Sequence, residues 1–211
     1  GLGIESSTFV VGTVGALSPV KDQSTLIAAV AQAARSVNHL RLLLVGEGPL
    51  RKSLMDQAQA EGIADRVLFA GQREDVAQLL LAMDVYVCSS RSEEMSNAVL
   101  EALAAGLPVV STDVGDHANV IRNERDGYIV PLGSSVAISN IIVTLAEDRN
   151  LCRRFALAAR ARAKDFDFSH TVAAYERYYL SLVSSSSHSR RPSDGSVRHP
   201  LAIDGTAQSG A

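Results

Sequence analysis

The chain has little from which a metal centre or a disulfide framework could be made. Only two cysteines, Cys88 and Cys152, occur among its 211 residues. They stand far apart with no histidine cluster near either, so they supply no ligand set and no stapled scaffold. Both read as small buried or half-buried side chains, and their scarcity fits a reducing cytoplasm. A basic stretch is missing too. The formal charge is −3, and no Lys/Arg run falls within the part that patterns as folded, which argues against a nucleic-acid or anionic-membrane surface. The apolar runs LRLLLVG and AVLEALAAGLPVV are too short or too interrupted to span a bilayer. The N-terminal GLGIESSTF lacks the basic-then-apolar order of a signal peptide. No initiator Met is present either, which suggests a piece of something longer. No internal repeat is apparent.

What remains is the composition of a soluble globular protein, 46% apolar and 20% charged, and enough length to bury a core unaided. Runs of strand length (TFVVGTVG, LRLLLVG, RVLFAG, VYVCSS, PVVSTD and GYIVPL) are rich in β-branched residues and end at Gly, Ser or Asp. Their hydrophobicity is continuous rather than alternating, the mark of strands covered on both faces in a parallel sheet. Between them lie segments with apolar residues at helical spacing. Pro49 suits a first helical turn, and Gly62 and Gly106 suit helix stops. The alternating order predicts an α/β fold, a doubly wound parallel sheet of about six strands, Rossmann-like, with C-terminal helices. Two of those helices are expected over about Arg149–Asp165 and Ser169–Val183, the second carrying Tyr175, Tyr178 and Tyr179. Residues 184–211 are Ser/Gly/Pro-rich and aperiodic, and are expected to form a disordered tail.

Ligands of an open parallel sheet bind at the carboxyl ends of its strands. Five such loops carry information. In GTVGALSPVKDQ, Gly12 and Gly15 flank a strand end and Lys21 precedes a helix that Asp22 or Ser24 could cap; the lysine is either a phosphate contact or a plain exposed loop residue. VGEGPLRK begins like a dinucleotide fingerprint, but Arg51 stands at the third glycine position and no acidic residue closes a ribose site, so a nicotinamide fold is disfavoured. In FAGQRED, Gly71 is either a turn glycine or a surface for a nucleobase. SSRSEEMSN leads into a helix starting near Ser96, whose amides at Asn97, Ala98 and Val99 would be unpaired, the makings of an anion site. STDVGDHANVI offers Gly115 and a second helix start facing the same crevice.

Glu93 and Glu101 form an E-x7-E pair around that fourth loop. Were the segment wholly helical, they would lie about 12 Å apart, too far for the acid and nucleophile of a glycosidase. Two carboxylates so placed suit hydrogen bonds to two diols of one elongated ligand. Taken in isolation, they read first as solvated surface charges.

Together, SRSEEMSNAVLEALAAGLPVVSTDVGDHANVI, NERDGYIVPLG, VGTVGALSPVKDQSTLIAAVA and LRLLLVGEGPLRKSLMDQAQAEGIADRVLFAGQREDV resemble the donor-binding region of retaining glycosyltransferases of the GT-B fold, family 4 (the glycosyl transferases group 1 domain). The KDQ and E-x-MSN variants look like those of bacterial sugar transferases in polysaccharide assembly. The match runs from about Phe9 to Leu182. The resemblance implies a nucleotide-sugar-binding domain over residues 1–183, the C-terminal half of a two-domain enzyme whose N-terminal acceptor domain lies outside this chain, so that the isolated chain would be inactive. Lys21 would contact the donor diphosphate. Glu93, as the catalytic residue, would hold sugar hydroxyls near the reacting carbon, and Glu101 would hold the ribose. Gly15, Gly71, Gly115 and the amides of Met95, Ser96 and Asn97 would complete the donor site.

The implied partners are a nucleotide-diphosphate sugar and a sugar or lipid-linked acceptor, with no nucleic acid, no cofactor and no required metal. The implied location is cytoplasmic, and any peripheral membrane association would run through the absent domain. Three positions depart from the family pattern: Ala16 where an Arg is common, Glu94 where a Gly is common, and Asn119 where a Glu is usual. They motivate an alternative, a non-catalytic or truncated nucleotide-sugar-binding module. A sugar-nucleotide epimerase of the same architecture fits the E-x7-E context less well.

Overall fold

The computed structural model describes Gly3, Glu5 and residues 7–188. Six strands form one wholly parallel sheet: β1 (Phe9–Val14), β2 (Leu40–Val45), β3 (Val67–Gly71), β4 (Val85–Cys88), β5 (Val109–Thr112) and β6 (Gly127–Val130). Their order is β3-β2-β1-β4-β5-β6, so the doubly wound sheet inferred from the continuous apolar runs is present. The order reverses between β1 and β4. That is the switch point where loops on either side diverge and leave a crevice.

Helices α1 (Gln23–Ala33), α2 (Arg51–Ala60) and α6 (Ser135–Glu147) bury Leu26, Ile27, Leu54, Ile138 and Ile142 against one face of the sheet, with Phe9, Val11, Leu42 and Leu44 beneath them. Helices α3 (Val76–Leu80), α4 (Asn97–Ala105) and α7 (Arg149–Ala163) close the other face over Val10, Leu43, Val45 and Tyr86. Alternate residues of β1 and β2 thus face opposite cores. Each fully buried Leu or Val contributes about 1.5–3 kcal/mol, and the one charge on these two strands, Arg41, is exposed near the start of β2.

Short elements fill the joints. A 3-10 turn at Ala64–Arg66 precedes β3, and α5 spans only His117–Val120. Gly106 ends α4 in the left-handed region at φ 78°, where a β-carbon is disfavoured. Pro49 does not open α2: the helix starts two residues later, at Arg51, and Leu50 N–H donates to Leu17 O across the neighbouring loop. Gly12 lies inside β1, against Met83, rather than at the strand's end. Both cysteines are free. Burial pushes the Cys152 thiol up to about 11, consistent with a packing role.

Residues 1–167 form one compact unit, and α8 (Phe168–His188) belongs to a second. Within α8, Tyr175 and Tyr179 stack with ring centroids 6.3 Å apart. The helix continues to His188, past the expected start of the tail at Ser184; the rest of that tail lies outside the described residues. Among the described residues no helix is long and apolar enough to cross a membrane.

Candidate functional site

The crevice is built by stitching the loop after β1 to the loop after β4. Ser89 Oγ lies 2.9 Å from Lys21 O and 3.0 Å from Asp22 O, within donating distance of both carbonyls, and Arg91 N–H donates to Val20 O at 2.7 Å. Asp22 is buried and left-handed (φ 46°). It precedes α1 without capping an amide. Its carboxylate takes the Thr25 hydroxyl at 2.9 Å and the Arg91 guanidinium at 3.0 Å. The expected helix cap is therefore a clamp between loops.

That clamp brings Lys21 to Glu93. Lys21 Nζ donates to Glu93 Oε1, and Ser90 Oγ donates to the same oxygen at 2.8 Å. Both contacts use Oε1, and Oε2 has no hydrogen bond among the described residues. Burial disfavours the charge on Glu93, but the hydrogen bonds from Lys21 and Ser90, with the charges of Lys21 and His117, outweigh it and hold the carboxyl below its ordinary range.

α4 begins at Asn97 with buried Ser96 at its cap in extended conformation. The amides of Met95, Ser96 and Asn97 have no acceptor among the described residues, as a helix start predicts. Val99 N–H is not free: it donates to Ser96 O at 3.0 Å within the first turn. Met95 and Asn97 are exposed, and Glu101 is exposed in the second turn of α4.

The second expected set of free amides is also corrected. Asp116 N–H donates to Glu94 O at 2.9 Å and His117 N–H to Val114 O at 3.1 Å. Gly115, at φ 50°, packs so tightly that a β-carbon there would lie 2.3 Å from the carbonyl oxygens of both Glu93 and Glu94. Its structural task is close approach between loops, and that approach fixes the backbone under Glu93. The loops after β1 and β2 also meet, since Gly15 N–H donates to Val45 O at 2.9 Å and the Lys21 stem lies over Gly15. Gly71 O accepts from Gly46 N–H at 2.8 Å, and the Glu47 carboxylate beside Gly71 is paired with Arg51 at 2.8 Å.

Of the departures, Ala16 is exposed and its carbonyl accepts from Gln23 Nε2 at 2.8 Å. Glu94 points to solvent. Asn119 donates to Asp116 Oδ1 at 3.2 Å and its carbonyl accepts from Arg162.

The residue that sequence reasoning passed over is His117. It is wholly buried, with Nδ1 2.7 Å from Ser111 Oγ. Its Nε2 and Gln23 Oε1 are buried without a partner among the described residues. Burial holds the imidazole pKa below its ordinary value against the pull of the Glu93 charge. Its place in the run DHANVI reads as loop filler, and no local pattern signals it.

The family model described as Glycosyl transferases group 1 matches residues 1–162. The chain belongs to this family. Its relatives include the N-acetyl-alpha-D-glucosaminyl L-malate synthase of Bacillus anthracis, 30% identical over 182 residues, covering 86% of this chain and 48% of that protein. The lipopolysaccharide core biosynthesis glycosyltransferase LpsE of Rhizobium meliloti is 35% identical over 147 residues, covering 70% and 42%. Among solved structures, HepE of Anabaena in complex with UDP and glucose superposes with a TM-score of 0.77 at 31% identity, over 85% of this chain and 50% of that one. This glycosyltransferase domain spans about half the length of the curated relatives it matches. Its sheet is that of the GT-B glycosyltransferases, as the resemblance implied.

Proposed function

We propose that this domain is the donor-binding half of a retaining glycosyltransferase that moves a sugar from a nucleoside diphosphate to an acceptor hydroxyl. The observation that carries the proposal is the convergence, at one switch-point crevice, of a lysine, a half-buried carboxylate and a helix start with unpaired amides, the same helix carrying a second, exposed carboxylate in its next turn. Lys21 is positioned for the diphosphate, where it offsets charge developing on the leaving group. Glu93 Oε2 serves as acceptor for donor-sugar hydroxyls near the reacting carbon. The Met95–Asn97 amides bind phosphate or sugar oxygens. Glu101 accepts the ribose hydroxyls, Gly71 leaves room for the base, and Gly15 and Gly115 let backbone approach the ligand. HepE, solved with UDP-glucose, supports a nucleotide sugar as ligand.

Retention at the anomeric carbon rests on the family resemblance, and so does turnover without a metal. The acceptor site belongs to a second domain. Relatives such as the lipopolysaccharide core transferase favour a bacterial surface polysaccharide as the destination and the cytoplasm as the place of reaction.

Calorimetry of the chain against UDP, GDP, ADP and their hexose conjugates tests the donor site. Base-selective binding is expected, and a folded chain that binds none of them overturns the proposal. Ala16 and Glu94 favour a second reading, a binding module without transfer. Turnover by the domain joined to its N-terminal half, with the product anomer read by NMR and EDTA added in parallel, decides between the two.

A further inference from the structure

The chain carries a net charge of −3, but one helix runs against it. Six of the 20 Lys and Arg residues fall within the 16 positions from Arg149 to Lys164, and no acidic residue interrupts them. No more than two are adjacent, so no basic run stands out along the sequence; it is the helix that brings them together. Arg149, Arg153, Arg160 and Lys164 are spaced four, seven and four apart along α7 and its C-cap, and therefore share one face, with Arg154 on its flank. All five are exposed. Leu157, 70% exposed, lies in the middle of them, while Phe155 and Ala159 are buried on the other side of the helix.

Interactions within the domain do not account for this face. Cations in the last turn of a helix suit its dipole, but Arg149, Arg153 and Arg154 stand in the first half, where the dipole gives them no support. Like charges four apart, as at Arg149 and Arg153 and again at Arg160 and Lys164, repel each other. Arg149 is paired with Asp84 at 2.8 Å, and Arg160 donates to Ala105 O at 3.3 Å. Arg153, Arg154 and Lys164 enter no ion pair among the described residues. The acidic residues flanking the helix are already engaged: Asp148 caps its first amides and Asp165 pairs with Arg162. Arg149 and Arg153 also border an open cavity of about 400 Å³ whose walls include Met83, Leu107 and Pro108 and whose one carboxylate is Asp84. Two guanidinium groups over apolar walls suit a phosphate borne on an apolar chain.

We propose that this face of α7 is a docking surface for an anionic lipid bilayer. A bilayer offers diffuse negative charge with an apolar layer beneath it, over the whole distance of about 22 Å from Arg149 to Lys164. The cations meet lipid phosphates, and Leu157 enters the acyl boundary between them. A nucleic acid would answer the charge but not Leu157, and the face holds no aromatic ring on which a base could stack. The expectation that membrane association runs through another domain alone is replaced by a contact on this one. The helix runs from the strand starts, where Arg149 meets Asp84, to the strand ends, where Arg162 donates to Asn119 O and Val120 O. The face contains none of the donor-site residues, so the inference goes beyond the donor-site reading and does not rest on it.

Co-sedimentation of the full chain with lipid vesicles tests the proposal. Vesicles of equal parts phosphatidylglycerol and phosphatidylcholine should retain the wild-type chain at about 0.1 M salt and release it at about 0.5 M. Vesicles of phosphatidylcholine alone should retain little. Replacing Arg153, Arg154 and Lys164 together with Gln should lower the partition onto anionic vesicles about a hundredfold, the scale of about 1 kcal/mol for each cation. Leu157→Asn should also lower it while leaving the salt dependence in place. Because these side chains are exposed, both variants should keep the wild-type melting temperature; were the triple variant to lose its melting transition, Leu157→Asn decides. A wild-type chain that ignores anionic vesicles, or that partitions no better than both variants, overturns the proposal. Binding to polyglutamate or to RNA without binding to vesicles overturns it as well and assigns the face to that partner. A chain that binds anionic vesicles through α7 but binds no nucleotide upholds this inference and overturns the donor reading instead.

Discussion

Lys21 and Glu93, 72 residues apart, form an ion pair across the switch point, with side chains 28% and 13% exposed. A pair sheltered to that degree is screened less than one on an open surface. Its two members are also the groups that a sugar diphosphate would engage separately, the lysine by phosphate and the carboxylate by hydroxyls. The crevice thus holds the lysine and the carboxylate against each other, and under the proposed function a donor would exchange one ion pair for two sets of contacts.

Replacing Lys21 with Met should weaken nucleoside diphosphate binding about ten- to a hundredfold, the equivalent of about 1.5–3 kcal/mol for a charge-assisted hydrogen bond. The Glu93 carboxyl should titrate at higher pH in the same variant, because burial, its largest influence, loses its main opponent. Calorimetry and 13C NMR of the carboxyl read the two effects. Unchanged affinity would remove Lys21 from the site.

The two glutamates should separate by ligand part. Glu101→Ala is expected to weaken UDP or GDP about tenfold, the scale of one lost hydrogen bond near 1.4 kcal/mol. Glu93→Gln should spare the nucleotide and diminish the increment contributed by the sugar. Equal and negligible losses from both variants would return the pair to surface charge.

Gly115→Ala places a side chain at φ 50° and a β-carbon 2.3 Å from two carbonyl oxygens. The backbone strain alone costs about 1–3 kcal/mol. The loop at Glu93–Met95 has to move as well. A lower melting temperature with weakened donor binding is expected, and wild-type values for both would show that the close approach is dispensable.

Asp126 is fully buried and accepts from Arg122 Nε at 2.5 Å and from Arg122 N–H at 2.7 Å, at the foot of β6. Asp126→Ala removes the carboxylate from the Arg122 backbone N–H and guanidinium, which keeps its bond to Ala158 O, and should destabilise the fold by about 1–3 kcal/mol, measured by urea unfolding. Nucleotide affinity below the melting transition should be unchanged. A loss of affinity without a loss of stability would contradict the structural assignment.

Acid should weaken the fold in two stages. His117 and Glu93 both have folded pKa values below their ordinary ones, near 6.5 and 4.5 respectively. In each window the unfolded chain binds more protons than the folded one, so stability is complete above the ordinary pKa and declines as pH falls toward the folded value. The His117 stage comes first, starting below about pH 6.5, and should disappear in His117→Gln; the Glu93 stage follows in stronger acid. Unfolding free energies across pH 4–7.5 that are flat, or that rise toward acid, would refute both assignments.

The helices and strands were legible because their signals are local. The run LRLLLVG reads as a doubly covered strand, and Gly106 as a helix stop, from a few neighbouring side chains. The start of α4 was legible for the same reason. Its Val99 amide was misassigned because the first turn closes on Ser96 O, a detail finer than any pattern. Asp22 or Ser24 was expected to cap α1, but Ser24 lies inside the helix, and Thr25 and Arg91, the latter from a different loop, take the Asp22 carboxylate.

From the sequence alone came the α/β class, the loops at the strand ends and the spacing of Glu93 and Glu101, all properties set by residues close together along the chain. The tertiary structure decided what each of those residues meets. Parallel pairing of β1 with β4 brings Lys21 onto Glu93, while Glu101 stays exposed on α4. Gly115 packs onto the Glu93 and Glu94 carbonyls, and His117, two residues on, is fully buried. Ion pairing and burial depend on distance through space, and that distance is fixed only when the strands take their order in the sheet.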